Sequence, residues 1–79
     1  MKEVSLSSLS PGERGKIARV ATQASVRQRL LEMGLVKGTP VEFVRSAPMG
    51  DPIEVSVKGY RLSLRRVEAQ SVFVVKETK

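Results

Sequence analysis

Residues 53–64 carry the pattern that most constrains the fold, because apolar side chains recur there at every second position. A period of two predicts strands that bury one face. The pair Lys58–Gly59 interrupts the pattern, and a two-residue turn there would set Val57 opposite Tyr60 with both side chains on one face. The inward positions are then Ile53, Val55, Val57, Tyr60, Leu62 and Leu64. The segment predicts an antiparallel hairpin.

Further segments predict additional strands. They are Gly15–Val20, Val41–Arg45 and Ser71–Val75. In the first of these, Ile17 and Val20 fall on opposite faces unless a bulge intervenes. The last is apolar on both faces, which predicts a central or covered strand. We therefore expect a mainly β fold, a small barrel of about five strands, since closure removes the exposed edges of short strands.

One α-helix is predicted over Ser25–Met33. Ser25 is a favourable N-cap, and Gln28 three residues later completes a capping-box pattern. Gly34 is expected to end the helix, because glycine tolerates the left-handed conformation at the position after the cap. The apolar stripe for the core is Val26, Leu30 and Met33.

The rest of the chain predicts turns. Residues 8–13 and 47–52 combine proline and glycine, which excludes regular structure. Residues 65–70 are short and polar and predict one helical turn at most.

Length and composition exclude most catalytic chemistry. The chain has 79 residues, enough for one domain over 1–79. It has no cysteine and no histidine, so it offers no disulfide, thiol nucleophile, catalytic triad or histidine metal ligand. Its eight carboxylates are dispersed, and no P-loop signature is present. We expect no enzyme activity, no cofactor and no metal site.

The net charge of +6 favours partners with acidic surfaces, such as nucleic acid, an acidic membrane face or an acidic protein. Nucleic acid is disfavoured, because single-strand binders need exposed aromatic platforms. Phe43, Tyr60 and Phe73 all fall at strand positions expected to be buried. The N-terminus has no signal-peptide pattern and no apolar run is long enough to span a bilayer, so a cytoplasmic location without membrane insertion is expected.

Motifs spread along the chain resemble those of the FeoA family. They lie in the helix and the turn after it, in the loop 47–52, at the hairpin turn, and in the segment before the last strand. The residues are Arg29, Leu30, Gly34, Leu35, Gly38, Ala47, Pro48, Gly50, Pro52, Gly59, Arg65, Glu68 and Ala69. The resemblance covers Leu6 to Val75 and implies an SH3-like barrel that accompanies the ferrous iron permease FeoB, through contact with the permease or its GTPase domain.

Four residues are candidates for partner binding. Arg27 and Leu31 are expected on the outward face of the helix, where Leu31 interrupts a polar surface. Met49 is expected at the tip of the loop 47–52, between two prolines. Asp51 belongs to the same loop, where it would also accept backbone N–H bonds that stabilise the turn. A solvated helix face and a self-stabilised loop are the alternative interpretations.

Other interpretations remain open at this point. Glu68 is expected to pair with Arg29 or an arginine of its own turn, although Arg65 and Arg66 could instead contact phosphate. The chain could also be a small basic barrel that binds nucleic acid, or a detached SH3-like domain of a metal-dependent repressor. The oligomeric state does not follow from the sequence.

Overall fold

The computed structural model describes residues 2–77 and confirms the mainly β class. The strands are β1 (Glu3–Ser5), β2 (Arg14–Val20), β3 (Pro40–Ser46), β4 (Ile53–Val57), β5 (Tyr60–Leu64) and β6 (Val72–Lys76). The helical elements are a 3₁₀ turn (Leu6–Ser8), α1 (Ala24–Glu32) and α2 (Arg66–Ala69). The strand β1 is additional to the five that the sequence predicted.

The strands form one antiparallel sheet in the order β1-β6-β2-β3-β4-β5. The strand β6 lies between β1 and β2, so of the two positions expected from its apolar faces, central or covered, the central one is confirmed. Val72 and Val74 of this strand are fully buried. Buried residues from β2 to β6, the 3₁₀ turn and both helices join a single core, around which the sheet wraps.

The bulge in β2 is present. The register against β6 shifts between Ile17 and Arg19, which leaves Ala18 as the extra residue. Both Ile17 and Val20 are consequently buried, at 2% and 8% exposure. An irregularity of this kind lets a strand bury two residues that strict alternation would separate.

The β4–β5 hairpin has the predicted register, with Val57 opposite Tyr60. Lys58 and Gly59 have φ angles of 52° and 85°, as a type I′ turn requires. Tyr60 itself is 46% exposed, so the prediction that its ring is buried is wrong. It lies at the end of the hairpin, where its hydroxyl donates a hydrogen bond to the Met33 carbonyl at 2.7 Å.

The other two aromatic residues differ from each other. Phe43 is buried at 2% exposure, as expected. Phe73 is only partly buried, because its ring faces outward beneath the Arg19 guanidinium, 4.3 Å from the ring centroid. The described chain therefore presents no row of aromatic faces on which bases could stack.

The helix α1 begins earlier than predicted. Gln23 is its N-cap, without a side-chain cap bond, so the expected Ser25 cap and its capping box with Gln28 are wrong. Ser25 lies inside the first turn, and the Gln28 amide donates instead to Glu32 at 3.1 Å.

The C-terminus of α1 is as predicted. Gly34 has a φ of 104°, and its N–H donates to the Leu31 carbonyl at 3.0 Å. The N–H of Leu35 donates to the Leu30 carbonyl at 3.2 Å, which completes a Schellman motif. Leu30 and Leu35 are both fully buried, so the motif also fixes the helix on the core.

Leu31 is not on a solvent-facing side of α1. It is partly buried and packs against the core together with Val26 and Met33. The apolar face of the helix is wider than the predicted stripe, because Leu30 and Leu31 are adjacent and both turn toward the barrel.

Candidate docking surfaces

The loop 47–52, here called the proline loop, forms a compact turn. The Gly50 N–H donates to the Ala47 carbonyl at 2.7 Å, and the Ala47 N–H donates to the Pro52 carbonyl at 2.9 Å. Gly50 has a φ of 90°, which a residue with a side chain rarely adopts. Met49 stands at the tip, 92% exposed, as predicted.

Arg66 fastens the proline loop to the barrel. Its Nε donates to the Gly50 carbonyl at 2.9 Å, and a terminal nitrogen donates to the Ser7 carbonyl at 3.0 Å. The side chain thus bridges the loop and the 3₁₀ turn, rather than remaining free for phosphate. No local pattern indicates this role, because the acceptors are backbone carbonyls 16 and 59 positions away.

Asp51 acts on a different segment from the one expected. Its Oδ1 accepts the backbone N–H of Arg66 at 2.9 Å, so it caps the start of α2 rather than its own turn. The Arg65 guanidinium lies 4.0 Å from its other oxygen. Asp51 therefore holds the loop and α2 together.

The expected pairing of Glu68 is confirmed. One carboxylate oxygen forms an ion pair with Arg29 of α1, and the other accepts the Arg65 backbone N–H at 3.0 Å. Glu68 thus joins α2 to α1, and Asp51 joins α2 to the proline loop. Glu68 is the more enclosed partner, with 17% of its side chain exposed against 53% for Arg29.

A second surface lies on the other flank of α1. It is a groove of about 310 Å³ between β2 and α1, here called the β2–α1 groove. Its lining residues are Ile17, Ala18, Arg19, Val20, Arg27, Leu31, Leu35 and Lys37. Two of the four predicted partner residues, Arg27 and Leu31, line it, and no carboxylate does.

The predicted partner residues therefore belong to two separate surfaces. Arg27 and Leu31 line the groove, whereas Met49 and Asp51 are in the proline loop. Successive helical residues are rotated by about 100°, so Arg29 lies nearly opposite Arg27 on the helix. Arg29 is the residue that pairs with Glu68 of α2. A single contact patch made of all four residues is not what the fold provides.

Most of the remaining residues of the resemblance are buried or have a turn conformation. Leu30, Leu35 and Ala69 are fully buried. Gly34, Gly38, Gly50 and Gly59 all have positive φ angles, and Pro48 and Pro52 are exposed in the proline loop. At Gly34 a Cβ would also come within 2.9 Å of the Tyr60 hydroxyl.

Seven cations of the described chain face a carboxylate. The ion-paired cations are Arg14, Arg19, Arg29, Arg45, Arg61, Arg65 and Lys76. The hydrogen bond from Lys76, with a second from the Ser10 N–H, holds the pKa of Glu13 below its ordinary value of 4.5. The hydrogen bond from Arg45 likewise lowers the pKa of Glu54. These pairs are exposed, so they order the surface more than they stabilise the fold.

The described residues contain no cluster of three or more His, Cys, Asp or Glu side chains that could hold a metal ion. Within the same part of the chain, each helix is too short or too polar to cross a bilayer.

These features define a class of protein: a small antiparallel β barrel that presents an ordered proline loop and a groove at its surface. Residues 4–76 match the FeoA domain family, and the chain belongs to that family. FeoA proteins are accessory proteins of ferrous iron transport.

Individual relatives agree with the family. Over 69 residues the chain is 39% identical to the Fe(2+) transport protein A/Fe(2+) transporter FeoB fusion protein of Porphyromonas gingivalis, matching 87% of this chain and 8% of that protein. The chain therefore corresponds to a small part of that relative.

Solved structures give the same fold. The FeoA-like protein of Clostridium acetobutylicum is 33% identical with a TM-score of 0.91, covering 100% of this chain and 92% of the other. The zinc-complexed FeoA of Stenotrophomonas maltophilia, described as an SH3 domain protein, is 33% identical with a TM-score of 0.77, covering 94% and 89%. The SH3-like barrel expected from the sequence is confirmed.

Proposed function

We propose that this protein docks on the cytoplasmic side of a FeoB-type iron permease, on the permease body or its GTPase domain, and modulates ferrous iron uptake without catalysing a reaction. The observation that carries the proposal is the Porphyromonas gingivalis relative, in which a FeoA protein and a FeoB transporter form one chain. Fusion keeps two proteins at a high effective concentration, which is useful when they work in contact.

The proline loop is the surface we assign to this docking. Met49 exposes an adaptable apolar side chain, 92% accessible, on a loop held by its own turn and by Arg66. A loop that is already ordered loses little conformational entropy when it binds, so a small contact suffices for affinity. Asp51 supports this surface through α2, which makes it a positioning residue rather than a contact.

The test is ferrous iron uptake in cells that lack the chromosomal copy of this gene and carry a plasmid-borne variant. Met49→Asp should reduce uptake severalfold, while its melting temperature stays close to that of the unmodified protein because Met49 is 92% exposed. Ser10→Asp, which adds the same charge at an exposed position outside the proline loop, is the matched control and should support normal uptake. Normal uptake with Met49→Asp would remove the proline loop from the proposal. Normal uptake without any copy of the protein would refute the modulating role.

A further inference from the structure

The lining of the β2–α1 groove contains cations and no carboxylate. Arg27 and Lys37 line it, and neither forms an ion pair within residues 2–77, whereas most arginines of the described chain face a carboxylate. Arg19 adds a third cation at the rim, shared with Glu3 at 2.8 Å. No acidic side chain lines the groove, so Arg27 and Lys37 make its potential positive, while Glu3 offsets the charge of Arg19.

The floor of the same groove is apolar. Leu31 and Ala18 are partly exposed there, above the buried side chains of Ile17, Val20 and Leu35. The volume of about 310 Å³ is at the lower end of the range for ligand pockets, about 300–1,000 Å³, and suits an inserted side chain better than a large ligand. An apolar floor with a charged rim is typical of a protein contact.

We infer that the β2–α1 groove binds an acidic peptide segment that inserts an apolar side chain between β2 and α1. Carboxylates of the segment would face Arg27 and Lys37, and the inserted side chain would cover Leu31. Charge complementarity selects this occupant over a basic or neutral one. The inference rests on the proposed function, in that the segment belongs to the permease partner, and it assigns that partner a second contact separate from the proline loop.

The probe for this inference is a short synthetic peptide with two leucines flanked by aspartates and glutamates, carrying a fluorophore and titrated with the full protein. We expect saturable binding that weakens as salt is added, with amide shifts confined to β2 and α1 in NMR spectra. A peptide with serines in place of the leucines should bind several times more weakly. Equal binding of the serine peptide, or no binding of the leucine peptide at millimolar protein, would overturn the inference.

The protein variants are chosen for equal charge change. Lys37→Glu and Arg27→Glu should each weaken the leucine peptide about five- to tenfold, because each replaces an attraction with a repulsion. Lys58→Glu, at the exposed hairpin turn, makes the same change outside the groove and should alter binding less than about twofold. Equal losses at Lys37 and Lys58 would mean nonspecific charge attraction and would contradict the inference. So would tighter binding of a single-stranded oligothymidylate at the same groove.

Two further outcomes separate this inference from the proposed function. If purified permease binds Lys37→Glu and the unmodified protein equally, the groove has no role in docking and the inference fails, while the proline loop stands. If the permease binds neither protein but the leucine peptide binds the groove, the proposed function fails and the groove remains a peptide site. Thermal melts of Arg27→Glu and Lys37→Glu should match the unmodified protein, since both side chains are exposed and unpaired among the described residues.

Discussion

Arg66→Ala is the substitution that tests the architecture of the proline loop most severely. It removes the hydrogen bonds from the guanidinium to the Gly50 and Ser7 carbonyls, at 2.9 Å and 3.0 Å. Hydrogen bonds to a charged group contribute about 1.5–3 kcal/mol each, which gives an upper bound of about 3–6 kcal/mol. Arg66 is only partly buried, so water can replace part of this loss. We expect a decrease of about 1.5–3 kcal/mol in the free energy of unfolding.

The assays are urea unfolding, thermal unfolding, and amide hydrogen exchange at Ala47 and Gly50. The loss in stability should lower the melting temperature by about 4–8 °C per kcal/mol, and exchange in the proline loop should accelerate. Arg45→Ala is the matched control: its guanidinium pairs with Glu54 but is 72% exposed, so it should cost less than about 1 kcal/mol. An unchanged melting temperature and unchanged exchange for Arg66→Ala would show that the loop does not depend on this side chain.

Three further predictions follow from the packing and the charges. Leu31→Asp should lower the free energy of unfolding by about 1–3 kcal/mol in urea titrations, because the carboxylate would lie against the core; an unchanged midpoint would mean that Leu31 does not pack there. The lowered pKa of Glu54 means that its stabilising effect is present above its unfolded value, near 4.5, and is lost as the pH falls through its lower folded value. Glu54→Gln should therefore show a shallower loss of stability than the unmodified protein as the pH falls below about 5, and equal slopes would contradict this. Anaerobic calorimetric titration with ferrous ion should show no tight stoichiometric site, since carboxylates are dispersed and no histidine or cysteine is present; a defined site would make an iron-carrying role the better account.

Local sequence signals predicted the parts of the fold that depend on neighbours along the chain. The β4–β5 hairpin followed from alternation and from Lys58–Gly59, because a two-residue turn fixes the register. Gly34 ended α1 for an equally local reason. The strand β1 was not predicted, because a segment of three residues, Glu3–Ser5, is too short to show an alternation of apolar and polar side chains.

The candidate site was less predictable, since its contacts are distant in sequence. Arg66 binds carbonyls whose positions depend on the completed barrel, and Asp51 caps a helix 15 residues away. The placement of Leu31 was wrong because one helical stripe cannot show how widely a curved sheet covers α1. The exposed tip at Met49 and the ion pair of Glu68 with Arg29 were anticipated, the latter since an isolated carboxylate among arginines has few other partners.

Direct binding tests the central claim, that this protein acts by docking on a FeoB-type permease. The permease would be purified in lipid nanodiscs, and biolayer interferometry would measure its affinity for the unmodified protein and for Met49→Asp. The account predicts saturable binding by the unmodified protein, weakened at least severalfold by Met49→Asp and reduced by added salt. Absence of saturable binding to both the intact permease and its isolated GTPase domain would contradict the claim.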